Sequence, residues 1–164
     1  MMKRSGLALI AFALIWGVSV MVGAGVAHAQ DAKGTESATE KAVERPFVEH
    51  RIALQISDSD PVKQGLIVSI SYKLLEVYGP DSIDVQVVAF GPGIDLLNAD
   101  NPRRQQIDSL IAQGVTFNIC GYTLETVERK TGKRPEMNPK AKLVPAGVPF
   151  LLSLAEKNYT IVRP

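Results

Sequence analysis

Cys120 is the one cysteine of the chain, and its position suits either a reactive thiol or a packing residue. It closes the apolar run Val115–Cys120 (VTFNIC) and stands directly before Gly121-Tyr122-Thr123, where a helical pattern begins. Backbone N–H groups at a helix N-terminus stabilise an anion, which favours a thiolate there. Gly121 leaves room for a bulky sulfur adduct against the backbone. Against this, free cysteines are among the most buried side chains. Strand alternation groups Cys120 with Thr116 and Asn118, opposite Phe117 and Ile119, and that polar grouping tilts the balance modestly towards reactivity. With no second cysteine in the chain, any disulfide or sulfur transfer needs a partner or a small thiol.

The other chemical constellations are weaker. Asp58 and Asp60 could form a carboxylate pair, but Asp60 directly precedes Pro61 and reads first as a helix cap. Gly91-Pro92-Gly93 lacks the lysine and hydroxyl of a phosphate loop and is not a dinucleotide fingerprint, so it reads first as a tight turn. Pro145-Ala146-Gly147 is a turn followed by a helix start. One cysteine and, beyond the leader, one histidine (His50) argue against a zinc site or a Cys-His catalytic pair. No GxSxG elbow is present, which removes a hydrolase of the α/β type. No metal and no cofactor are expected.

These residues need elements to position them. Ile52–Ile56, Val85–Phe90, Val115–Cys120, Leu143–Val144 and Tyr159–Val162 are short apolar runs, as expected of strands covered on both faces. Between them lie helical patterns. The first opens at Asp60-Pro61, places Val62, Leu66, Ile67, Ile70, Leu74 and Val77 on its apolar face, and stops at Gly79-Pro80. The region after Gly91-Pro92-Gly93 suits one helical turn over Ile94–Leu97. A second helix starts at Asn101-Pro102, buries Ile107, Leu110 and Ile111, and closes at Gly114. A third carries Leu124 and Val127. The last opens near Pro149, with Val148, Leu151, Leu152 and Ala155 inward. Strands alternating with helices predict an α/β fold: a three-layer α/β/α sandwich on a mainly parallel five-stranded sheet. In such sheets ligands bind beyond the carboxyl ends of the strands. That rule gathers the candidate ligand-binding residues Asp58, Gly91, Pro92, Gly93, Gly121, Tyr122, Thr123, Pro145 and Gly147 around Cys120.

The N-terminal residues look like an address label. Lys3 and Arg4 precede an apolar stretch from Leu7 to Val22, and Ala27-His28-Ala29 supplies a signal-peptidase pattern. The expected organisation is a signal peptide over 1–29, a flexible linker over 30–49 and one domain over 50–164. Retention of the leader as a membrane anchor is the less favoured alternative. Export to the periplasm or beyond follows from either. Cleavage removes Lys3 and Arg4, leaving 16 basic against 17 acidic side chains. That balance argues against a nucleic-acid partner. An apolar content of 46% argues against an extended disordered chain.

Four segments in order, VAFGPGIDLL, VTFNICGYT, LVPAGV and YTIVRP, resemble the DsrE/DsrF-like family, in particular its exported single-domain members. The resemblance covers Arg51 to Pro164. It implies the DsrEFH-like α/β/α fold and a sulfur relay in which a cysteine carries a persulfide and passes it on. Cys120, in ICGYT, matches a cysteine of the family's motif. The resemblance also implies assembly, as a homotrimer or hexamer or in a mixed complex. An exported chain has no access to tRNA, so tRNA thiolation is not expected. The function expected is a thiol-based sulfur carrier of the cell envelope, working with a sulfur donor or acceptor protein or a small thiol. The alternative is a non-catalytic oligomeric module that binds a small ligand or protein and keeps Cys120 for structure.

Overall fold

The computed structural model describes residues 47–164; the expected signal peptide and most of the expected linker lie outside them. The elements in order are β1 (His50–Ile56), α1 (Pro61–Tyr78), β2 (Ile83–Ala89), a 3₁₀ segment (Gly91–Leu97), α2 (Arg104–Ala112), β3 (Thr116–Cys120), α3 (Gly121–Thr131), β4 (Lys142–Val144), α4 (Gly147–Glu156) and β5 (Thr160–Val162). All five strands pair in parallel, in the order β4-β3-β2-β1-β5. The α/β class expected from the alternating pattern is the one observed. Among the described residues no helix is long and apolar enough to cross a membrane.

The strand order dictates where the helices lie. From β1 to β4 the chain steps in one direction across the sheet, so right-handed crossovers put α1, α2 and α3 on one face. The step from β4 to β5 reverses direction and carries α4 over the opposite face. The core divides in the same way. Leu54, Val87, Phe117 and Ile119 pack beneath Ile67 and Leu75 of α1, Ile107 and Leu110 of α2, and Leu124 of α3. Ala53 and Val88, on the other face, meet Leu151 and Leu154 of α4. The first of these clusters is much the larger, and its burial supplies most of the hydrophobic stabilisation.

Two helices bury only part of the face the spacing predicts: Ile67 and Leu151 are buried and Ile70 and Leu74 pack against the core, as expected, but other positions differ. In α1, Val62 and Val77 are 70% and 59% exposed, while Gln64, Ile67, Val68, Ser71 and Leu75 are buried. Apolar residues surround this helix on all sides, so periodicity does not fix its inward face. Ser71 is accommodated by donating its hydroxyl to the Ile67 carbonyl at 2.8 Å. In α4, Val148 and Leu152 face outward and Leu151 and Leu154 inward. The helix begins at Gly147, ahead of Pro149. Asn101 and Pro102 form a turn rather than helix: the Asn101 side chain accepts the Arg103 N–H at 2.9 Å, and α2 begins at Arg104. The expected cap of α1 is present, with Asp60 accepting the Val62 N–H at 2.8 Å.

Candidate functional site

Cys120 ends β3 and caps α3, with φ −71° and ψ 111°. Its side chain lies on the α4 side of the sheet, because Phe117 and Ile119 point to the other. There the Sγ accepts the backbone N–H of Gly147, the first residue of α4, at 3.2 Å. The thiol is buried, at 4% exposure. β3 and β4 are neighbours in the sheet, and α3 and α4 leave their ends towards opposite faces. Such a divergence opens a crevice between strand ends, the usual binding position in an open α/β sheet. Cys120 stands in that fork.

Two glycines let the backbone close around the sulfur. A Cβ on Gly121 would sit 3.2 Å from the Val144 carbonyl oxygen, and one on Gly147 would sit 2.9 Å from Cβ of Phe90. The Tyr122 N–H donates to the Pro145 carbonyl at 3.0 Å, tying the start of α3 to the end of β4. The ends of β2, β3 and β4 therefore converge here through Phe90, Cys120 and Gly147.

The remaining expected site residues separate into groups. Gly91 has φ +53° and donates its N–H to the Thr123 hydroxyl at 3.0 Å, joining the 3₁₀ segment to α3. Gly91, Pro92 and Thr123 line a cavity of about 280 Å³, walled further by Ile94, Val127 and Lys130. Cys120 is not among its walls. Gly93 is structural, since a Cβ there would collide with the Ile56 carbonyl oxygen and lie 2.7 Å from the carbon. Tyr122 is exposed and carries the Arg129 guanidinium 5.8 Å from its ring centroid. The side chain of Pro145 is exposed as well. Asp58 follows β1, two strands from β3 in the sheet, and pairs with Lys63 at 2.8 Å and Arg163 at 3.5 Å. The hydrogen bond from Lys63, reinforced by Arg163, holds its carboxyl below the ordinary range against the opposing effect of desolvation. Asp58 is thus a tie between α1 and the C-terminal residues, not a wall of the fork.

Val127 and Lys130 were not among the expected site residues. Their signal was available: they follow Thr123 at four and seven positions, the spacing of one helix face. Among the described residues, no group of three or more His, Cys, Asp or Glu side chains is placed to hold a metal ion.

No family model and no curated protein match the chain. A solved structure of a protein of unknown function from Methanobacterium thermoautotrophicum is similar, with a TM-score of 0.64 and 22% identity, covering 71% of this chain and all of the other. At that identity the likeness concerns the fold.

Proposed function

We propose that the protein is a thiol-based sulfur carrier of the cell envelope, with Cys120 as its persulfide centre. The observation that supports this is the position of Cys120 in the fork between α3 and α4, with the Gly147 N–H on its sulfur at 3.2 Å. That backbone donor fixes the orientation of Sγ at the strand end, where a sulfur exchange has to take place. In the loading step the Cys120 thiolate attacks the outer sulfur of a small persulfide. A sulfur–sulfur bond forms on Cys120, the donor's own sulfur–sulfur bond breaks, and the donor leaves as a thiolate. No outside oxidant is consumed. Unloading reverses the roles, with a partner thiolate attacking the outer sulfur of the Cys120 persulfide.

The burial of Cys120 favours a second reading, in which the protein is a non-catalytic oligomeric binding module and the thiol is a packing group. The cavity beside Thr123 then receives the ligand, and the exposed Tyr122, Leu143, Val148 and Leu152 side chains supply apolar surface for assembly. One experiment separates the two. Native protein is treated with sodium polysulfide and its intact mass recorded, with Cys120→Ser in parallel. The carrier gains one sulfur atom and the variant none. Failure to gain sulfur natively, with uptake only in urea, overturns the carrier reading and leaves the binding module.

A further inference from the structure

A second cleft lies at the same edge of the sheet, between the first residues of α1 and of α2, with a volume of about 500 Å³. We propose that it binds a small molecule through an oxyanion, phosphate or carboxylate, gripped by Arg103. The lining includes one cation, Arg103, the carboxamides Gln64, Asn101, Gln105 and Gln106, and no carboxylate. Arg104, Arg134 and Arg163 each meet an acidic side chain, whereas no ion pair reaches Arg103 among the described residues. Asp60, the acidic residue beside Pro61 of the cleft, spends its side chain on the α1 cap.

The guanidinium is seated in advance. One N–H donates to the Pro61 carbonyl at 3.1 Å. The group lies against Gly65, where a Cβ would come within 2.9 Å of Nη2 and 3.3 Å of Cζ. Glycine is a poor residue inside a helix, and here its missing side chain makes the seat. The backbone beneath is fixed too. Asn101 accepts the Arg103 N–H at 2.9 Å and donates to Gln64 at 3.2 Å, and Gln64 is itself buried. The remaining guanidinium donors form a planar fork of the shape that carboxylate and phosphate oxygens match. The Gln105 and Gln106 carboxamides in the lining can supply further donors. The site is independent of Cys120.

The test is a titration of the full ¹⁵N-labelled chain with inorganic phosphate or with acetate at constant ionic strength, following the arginine Nε–H and side-chain amide resonances. Saturable shifts at Arg103 and Gln64 are expected. Saturation by phosphate alone assigns a phosphorylated ligand, and saturation by acetate alone a carboxylated one. Arg103→Gln should weaken binding by about tenfold or more, the size of a lost charge-assisted hydrogen bond. Gly65→Ala keeps the charge and favours the helix but displaces the guanidinium, and should weaken binding in the same direction. Shifts that stay linear for both anions overturn the proposal. So does saturable binding that neither variant changes, and if Arg103→Gln does not fold, Gly65→Ala decides.

Discussion

Replacing Gly147 by alanine probes the fork where the thiol sits. The added Cβ would stand 2.9 Å from Cβ, 3.1 Å from Cδ1 and 3.2 Å from Cγ of Phe90. Carbon atoms pack comfortably at about 3.5–4.0 Å, so either the ring or the start of α4 must move by about 0.5–1 Å. Overpacking of this kind costs about 1–3 kcal/mol, and loosening the N–H···S bond adds about 0.5–1 kcal/mol. Alanine in place of glycine returns at most about 1 kcal/mol. With that full amount subtracted, the expected net loss is about 0.5–3 kcal/mol, read as a lower urea midpoint with an unchanged slope. The same shift draws the Gly147 donor off the sulfur, so polysulfide uptake at Cys120 should slow. Gly132→Ala is the control. Gly132 has φ +73° and open space around its would-be Cβ, so alanine there meets backbone strain of about 1 kcal/mol and leaves sulfur uptake alone. Wild-type stability and wild-type uptake in Gly147→Ala would refute the reasoning about both Phe90 and the donor.

Gly93→Ala should be the most damaging glycine change, at about 3 kcal/mol or more, because its Cβ meets the backbone of Ile56 and Ser57; urea midpoints and soluble yield measure it. Asp108 accepts from Asn138 at 2.7 Å and from Lys140 at 3.2 Å, and these, with the Asn138 bond foremost, hold its carboxyl below the ordinary range. Its contribution is therefore present above the unfolded carboxylate value of about 3.9 and lost as pH falls through the lower folded value. Asp108→Asn should flatten that part of the acid limb when urea midpoints are compared between about pH 3 and 7. Tyr159 donates to Asp84 at 2.6 Å, and burial, followed by that carboxylate, raises its phenol well above its ordinary value. The neutral phenol stabilises the fold below the unfolded value of about 10, and this is lost as pH rises through the folded value. Tyr159→Phe should cost about 1 kcal/mol at neutral pH and soften the alkaline loss, as read by thermal unfolding.

The fold class was legible because the strands carry its strongest signal. IALQI, VQVVAF and VTFNIC are short apolar runs between turn residues, and parallel strands buried on both faces require such runs. The inward faces of α1 and α4 were legible only in part, at Ile67, Ile70 and Leu74 and at Leu151. In both helices apolar residues occur all round, and the choice among them rests on packing: Gln64 and Ser71 go inside α1 because partners at Ser59, Asn101 and Ile67 satisfy them. At the candidate site, alternation along β3 gave the side of the sheet on which Cys120 lies. The donor facing it could not be read from the local sequence, since Gly147 is 27 residues away. The strand-end rule grouped Asp58 with Cys120, but it does not say which strand ends are adjacent. The observed order puts two strand spacings, about 10 Å, between β1 and β3.

The reversal after β4 also explains why the two candidate sites are built differently. Where α3 and α4 diverge to opposite faces, the hydrogen bond that reaches the sulfur comes from the first residue of α4. The group that reaches Cys120 is backbone, and glycines at 121 and 147 allow it to approach. α1 and α2 leave β1 and the segment after β2 on the same face, so their first turns stand side by side and side chains bridge the gap. Arginine and carboxamides line that cleft, and Gly65 lies against the guanidinium and seats it. A fork closed by backbone offers sulfur a fixed donor and little room, which suits one small group passed between thiols. A cleft lined by side chains offers several adjustable donors and more space, which suits an oxyanion attached to a larger body.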